Sequence, residues 1–309
     1  MDKKTLAVLA AAMLGLAACG GGSKGGSGKI ITSPEDTVGN SGNSGNTNKP
    51  SEENNAIRKG QYGFVYSYNL DPDAQDAGSP GTYDAINDLN LLQVDGRSIK
   101  LVPDDKKNEK FYRNNVPDAN APYLGSGNDP YVKPHGAWSW IGNDLKNAKY
   151  GEIHDPYEHH YVFMQGNETQ SNELPTDRKE VTYTGNGTHL YTKIVVQDDK
   201  PVVLDRRFLE ADVEVKVNFG EKTLIGKVSP RNVPDNIKND VRDTIIKATI
   251  QDGRFSGTEK SHKTEVNGAF YGPNAGEMAG AYVRKLPDDL KKLNSENYPT
   301  RGAFGATKQ

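Results

Sequence analysis

The sequence has very little cysteine: Cys19 is the only one among 309 residues. No disulfide within the chain is therefore possible, and the stability of the fold has to come from its buried core. The sequence also lacks a surplus of charge of one sign. Its formal net charge is −3, so there is no basic field of the kind that nucleic-acid binding requires.

Motifs of catalysis are missing from the sequence as well. No Gly-x-Ser-x-Gly nucleophile elbow occurs. The glycine run near the N-terminus neither follows a strand nor opens a helix, so it is not a phosphate loop. The acidic pairs at 104–105, 198–199 and 288–289 stand beside lysines in turn-like sequence and do not indicate a glycosidase pair. The sequence therefore does not predict an enzyme.

The N-terminus has the pattern of a secretion signal. Lys3 and Lys4 precede an apolar run at 6–16 that is too short to span a membrane, and small residues follow it. The Leu-Ala-Ala-Cys ending at Cys19 resembles a bacterial lipobox. An ordinary signal peptide that ends near a cysteine is the alternative. Because Cys19 has no disulfide partner, we expect residues 1–18 to be a signal peptide and Cys19 to be the lipidated first residue of the mature chain.

The residues after Cys19 indicate where the lipid anchor lies. Gly20 and Gly21 are not the aspartate that tends to retain such lipoproteins in the inner membrane. We therefore expect an outer-membrane anchor with the protein facing the cell exterior. Residues 19–57 are rich in Gly, Ser and Asn and have too few apolar side chains to offset the entropy of ordering, so we predict a disordered tether. About 35 such residues reach at most roughly 115–125 Å when extended.

The C-terminal part shows the period-2 pattern of β-strands. Residues 211–219 alternate apolar and polar side chains without an error, and residues 223–228 return after a short turn. Similar patterns occur at 181–183, 191–196, 246–250, around Phe255, and at 266–270, 279–283 and 302–306. About eight strands joined by short turns favour a closed antiparallel barrel formed by residues 175–309, although a sandwich has a similar pattern. Residues 238–246 and 286–293 carry weak helix signals.

The preceding region, residues 58–174, is less regular. Strands are predicted at 62–68, 91–94, 98–102 and 161–164, separated by polar stretches at 71–87 and 103–134. The predicted fold class is thus all-β: a small N-terminal sheet or sandwich domain with long loops, followed by the eight-stranded barrel.

A group of histidines, His154, His159 and His160, is the densest set of possible metal ligands. On a strand, His159 and His160 point to opposite faces, and no spacing typical of structural zinc sites is present. We therefore predict no metal site, and we keep direct haem or metal binding as an alternative. His135, His189 and His262 are isolated and are interpreted as turn or surface residues.

Aromatic and arginine side chains cluster in one long loop and the strand after it. These residue types dominate binding hot spots because they bury a large area at modest entropic cost. The predicted partner-binding residues are Arg113, Tyr123, Tyr131, Trp138 and Trp140. For the two tryptophans, which share one face of a strand, packing in the core is the alternative; for the two tyrosines, packing and exposure are equally compatible with the sequence.

One segment, residues 266–281, resembles a signature of the transferrin-binding-protein-B-like surface lipoproteins. The motif residues are Gly268, Phe270, Tyr271, Gly272, Pro273, Ala275, Glu277 and Gly280. The Gly-Pro step should break a strand, residues 274–278 should form a helical turn, and Gly280 should restart a strand. Residues 163–185 and 302–306 are similar to the same family. The motif is interpreted as structural.

The resemblance implies a function in host-protein capture. Members of this family bind host proteins at the surface of Gram-negative bacteria. One β-domain with one barrel is most similar to the HpuA-like haemoglobin–haptoglobin utilisation lipoproteins. This resemblance implies that the chain captures haemoglobin or haemoglobin–haptoglobin as a monomer that works beside a TonB-dependent outer-membrane transporter. The chain would then contact haem only indirectly, through the haemoglobin that it binds, and no cofactor is expected. Binding of transferrin or complement factor H is the alternative within the family.

If the long loop carries affinity, truncating Tyr123 or Tyr131 to alanine should cost about 1–3 kcal/mol of binding free energy, because each removes an aromatic anchor from an interface. The melting temperature should not fall. Titration calorimetry and thermal unfolding of the same variants check this. Unchanged affinity would place the tyrosines outside the interface, and loss of folding would place them in the core.

Overall fold

The structure, a computed structural model, describes residues 61–69, 80–84, 88–94, 97–116, 137–154, 159–198, 200–285 and 298–309. Within these ranges the regular elements are β-strands and three short 3-10 turns, at Asp104–Lys106, Ser171–Glu173 and Pro273–Ala275. None of the described segments forms a helix of the length and hydropathy that a membrane crossing requires. The all-β fold class predicted from the sequence is confirmed.

The N-terminal part is a six-stranded antiparallel sheet. Its strands are β1 Gln61–Asn69, β2 Pro80–Asp84, β5 Phe111–Asn114, β6 Trp138–Gly142, β7 Ala148–His154 and β8 His159–Asn167. Their spatial order is β2-β1-β8-β7-β6-β5. The strand β5 therefore forms one edge of the described sheet.

A separate hairpin covers one face of this sheet. It consists of β3 Leu91–Val94 and β4 Arg97–Lys100. Leu92 and Leu101 from the hairpin region pack with Ile153, Tyr161 and Phe163 of the sheet in one buried cluster. The other face of the sheet packs on the barrel, so the central strands are buried on both sides.

The C-terminal part is a closed eight-stranded antiparallel barrel. Its strands are β9 Glu180–Gln197, β10 Lys200–Asn218, β11 Thr223–Pro230, β12 Thr244–Gln251, β13 Arg254–Glu259, β14 Thr264–Tyr271, β15 Glu277–Arg284 and β16 Thr300–Lys308. Closure is made by pairing of β16 with β9, which removes the exposed edges. The barrel alternative of the sequence prediction is therefore confirmed over the sandwich.

The barrel core follows from the alternation in its strands. On β10, Val213, Val215 and Val217 are buried, while Asp212 and Glu214 face solvent. These valines join a cluster that contains the aromatic rings of Tyr183, Phe219, Phe255, Phe270, Tyr282 and Phe304. Burial of each such side chain stabilises the barrel by about 1.5–3 kcal/mol.

The sheet docks on the barrel through a tyrosine that lies between two glycines. A Cβ atom added at Gly142 on β6 would lie 2.2 Å from the ring of Tyr150, and one added at Gly305 on β16 would also lie 2.2 Å from it. The ring of Tyr150 therefore rests directly on the backbones of both the sheet and the barrel. Tyr271 makes the converse contact from β14 to Gly166 on β8.

The family motif at 268–280 forms part of the same docking region. Gly272 has φ +71°, a conformation that side chains rarely adopt, and it ends β14 before the 3-10 turn. The Glu277 carboxylate accepts hydrogen bonds from the backbone N–H groups of Lys146 (2.9 Å) and Asn147 (2.8 Å), in the connection between β6 and β7. The motif thus supports the sheet as well as the barrel.

Several strand boundaries differ from the sequence prediction. The strands β2 and β5 lie inside stretches predicted as loops, and β7 was not predicted. Because β7 is buried on both faces, its sequence has no alternation to recognise. The motif turn is shorter than predicted and ends at Ala275, since β15 begins at Glu277. The weak helix signal at 238–246 does not correspond to a helix: turns occupy residues 235–240, and β12 begins at Thr244 with an Ile-x-Ala-x-Ile pattern of strand period. The signal at 286–293 lies outside the described residues.

The predicted domain boundary between residues 174 and 175 falls in the connection from β8 to β9. The sheet and the barrel nevertheless belong to one compact unit, because Trp138, Trp140, Tyr150, Phe208 and Tyr271 share one buried cluster. The predicted signal peptide and the whole predicted tether lie outside the described residues.

Replacing Gly305 by alanine should destabilise the fold by about 1–3 kcal/mol, because the new methyl group would overlap the Tyr150 ring. Urea unfolding of wild type and variant measures this difference. Gly276→Ala is the matched control: its φ is −67° and the nearest atom to an added Cβ is 3.3 Å away. Equal stability losses for the two variants would contradict the proposed role of the Tyr150 contact.

Candidate functional site

The predicted partner-binding residues on β5 and β6 lie at the border between the sheet edge and the barrel wall. Arg113 is on the edge strand β5, and its side chain is half exposed. Its guanidinium reaches Glu210 on β10, with Nε donating to Oε1 at 2.7 Å and Nη2 donating to the same oxygen. Arg113 is therefore at the surface, where it joins the sheet to the barrel.

The Glu210 carboxylate is a junction for three elements. Besides Arg113, the indole Nε1–H of Trp140 donates to Oε1 at 3.0 Å, and Arg231 Nη2 donates to Oε2 at 3.1 Å. Burial opposes ionisation of this carboxyl, but the hydrogen bonds from Trp140 and Arg113 and the charges of both arginines hold its pKa below the ordinary value. The ionised Glu210 thus fixes the positions of β5, β6 and the segment after β11.

Both tryptophans are in the core. Trp138 is 1% exposed and Trp140 is 0% exposed. Trp138 packs edge-on against Phe208 of the barrel, with ring centroids 5.1 Å apart, and Trp140 stacks on Phe111 at 5.2 Å. The prediction that these indoles contact a partner is corrected to a packing role, because the barrel wall covers the face of β6 that they share.

The other predicted site residues fall outside the described part of the chain. This applies to Tyr123, Tyr131 and Cys19. The structure therefore leaves the binding role of the two tyrosines and the lipidation of Cys19 as predictions.

Two of the three histidines kept as possible haem or metal ligands, His154 and His160, belong to a buried polar cluster between the sheet and the barrel. The Nε2 of His160 is 2.7 Å from Glu152 Oε2, and Arg301 Nη2 donates to His160 Nδ1 at 2.8 Å. Both ring nitrogens of His160 are thus hydrogen-bonded. His154 is also buried, with its ring 6.4 Å from that of His160. Among the described residues, no three His, Cys, Asp or Glu side chains converge as a metal site.

Burial shifts the titration of this cluster in two directions. It raises the pKa of Glu152 to about 7, against the Thr188 hydrogen bond and the Arg301 charge, which lower it. Burial, together with the charges of Arg301, His154 and Arg206, holds the pKa of His160 well below its ordinary range. His160 is therefore neutral, donating from Nε2–H to Glu152 while it accepts from Arg301.

His189 is another histidine that the sequence analysis placed wrongly. It was interpreted as a turn or surface residue, but it is buried on β9. Its Nδ1 is 3.0 Å from the Tyr282 hydroxyl and its Nε2 is 3.1 Å from Thr300 Oγ1. Burial lowers the pKa of His189 to about 3, so it is a neutral structural side chain. In the sequence His189 is an isolated polar residue, and nothing beside it indicates that its side chain is buried.

The barrel resembles the barrels of a known family. Residues 174–308 match the family model described as the C-lobe and N-lobe beta barrels of Tf-binding protein B. The barrel of this chain is therefore similar to the barrels of that family. The match covers the eight barrel strands, including the motif at 268–280, and it confirms the transferrin-binding-protein-B-like resemblance seen in the sequence.

Two transferrin-binding proteins illustrate the similarity. Transferrin-binding protein B of Haemophilus influenzae is 32% identical over 178 residues, covering 49% of this chain and 28% of that protein. The crystal structure of a transferrin-binding protein B mutant from Haemophilus parasuis is 17% identical with a TM-score of 0.51, covering 80% of this chain and 45% of that one. This chain thus spans less than half the length of either protein, and the structural match shows the shared fold.

The HpuA protein of Kingella denitrificans, solved in complex with human haemoglobin, is a more distant structural neighbour. It is 14% identical with a TM-score of 0.40, covering 80% of this chain and 87% of that one. A likeness of this size does not support an inference about the ligand.

Replacing Glu152 by glutamine should change how stability depends on pH. In wild type the raised pKa of Glu152 contributes stability that is present below its ordinary value of 4.5 and is lost as the pH rises through about 7. Glutamine does not titrate and still accepts from His160. The free energy of unfolding of the variant relative to wild type should therefore fall as the pH falls from about 8 to about 5, by an amount on the order of 1–3 kcal/mol.

Thermal unfolding at several pH values measures this difference. The control is Glu180→Gln, which makes the same substitution at an exposed carboxylate on β9. A constant difference between Glu152→Gln and wild type across this range would show that Glu152 does not titrate there.

Proposed function

We propose that this chain is a lipid-anchored outer-membrane protein that captures a host iron-carrier protein at the cell surface. The observation that carries the proposal is the family match of the barrel at 174–308. The fold shared with a transferrin-binding protein B structure extends over 80% of this chain, which is more than the barrel alone. The function is binding, with no chemical step assigned to the chain.

Haemoglobin, alone or bound to haptoglobin, is the first ligand that we propose. The support comes from the sequence resemblance to the haemoglobin–haptoglobin utilisation lipoproteins, in which one looped β-domain precedes one barrel. The described residues have this layout, with one six-stranded sheet before one eight-stranded barrel. The proposed membrane partner is a TonB-dependent transporter, which would take the haem from the captured protein.

Transferrin is the second candidate, and a specific observation favours it. The curated relative with 32% identity over 178 residues is named a transferrin-binding protein. Complement factor H remains a third host protein that the resemblance allows. Direct haem binding through His160 has little support, since both of its ring nitrogens are hydrogen-bonded in a buried site.

Anchoring through Cys19 would make capture more efficient. A tether of about 35 residues would hold the binding unit within roughly 115–125 Å of the membrane. Confinement of this kind raises the effective concentration of a captured protein near a transporter without any new contact. In this proposal the tether contributes to function through its length.

The full chain, immobilised on a sensor surface, should retain haemoglobin and haemoglobin–haptoglobin with at least tenfold higher affinity than transferrin or factor H. Surface plasmon resonance with the four purified human proteins measures the four affinities. Free haem, titrated separately, should give no saturating Soret shift, because the contact is between proteins.

Each alternative has its own result in this experiment. Retention of transferrin or factor H without haemoglobin would replace the ligand and keep host-protein capture. A saturating Soret shift that is lost in His154→Ala or His160→Ala would assign direct haem binding. A chain that retains none of the four proteins would reject the proposed function.

A further inference from the structure

We draw no further inference here: the strongest candidate, the groove between the edge strand β5 and the barrel wall that is lined by the carboxylates of Asp144, Asp212 and Glu214, is an acidic cluster for which nothing in the described part of the chain points to a ligand.

Discussion

The contact of the Tyr150 ring with the backbone at Gly142 and Gly305 is the constraint on which the arrangement of sheet and barrel depends. An aromatic ring can lie this close to two strands only where neither has a side chain. Tyr271 and Gly166 make the same kind of contact in the opposite direction. Two such contacts determine both the spacing and the orientation of the sheet relative to the barrel. The sheet and the barrel therefore form one compact unit, although the sequence of the first is irregular and that of the second alternates.

This arrangement also buries polar side chains, because the docked strands have no side that faces solvent. Glu152 and His160 are enclosed between sheet and barrel, and they satisfy each other at 2.7 Å with Arg301 alongside. At the rim of the interface, Glu210 instead accepts hydrogen bonds from Arg113, Trp140 and Arg231 and stays ionised. The difference between the two carboxyls is one of burial, since water still reaches Glu210 and is excluded from Glu152.

Alternation in the sequence predicted several barrel strands that have one wet face. The alternation at 211–219 marks the barrel portion of β10, and Ile246, Ala248 and Ile250 mark β12, because the closed barrel keeps an outer surface in water. It did not predict β7, whose residues are buried on both faces, or β5, which has only four residues. It also divided β9 into two strands, since His189 interrupts the pattern with a polar residue that the fold satisfies through Tyr282 and Thr300.

The sequence by itself determined the all-β class, the eight-stranded barrel and the family that the barrel resembles, because these depend on local alternation, turn residues and a motif of glycines and aromatics. Only the tertiary structure decided which apolar residues are available to a partner. Trp138 and Trp140 have the composition of a binding site, yet the barrel covers them, whereas Val196 and Leu204 resemble core residues and are exposed. A period-2 pattern shows that two residues share a face, but contacts between residues distant in sequence determine whether another layer covers that face.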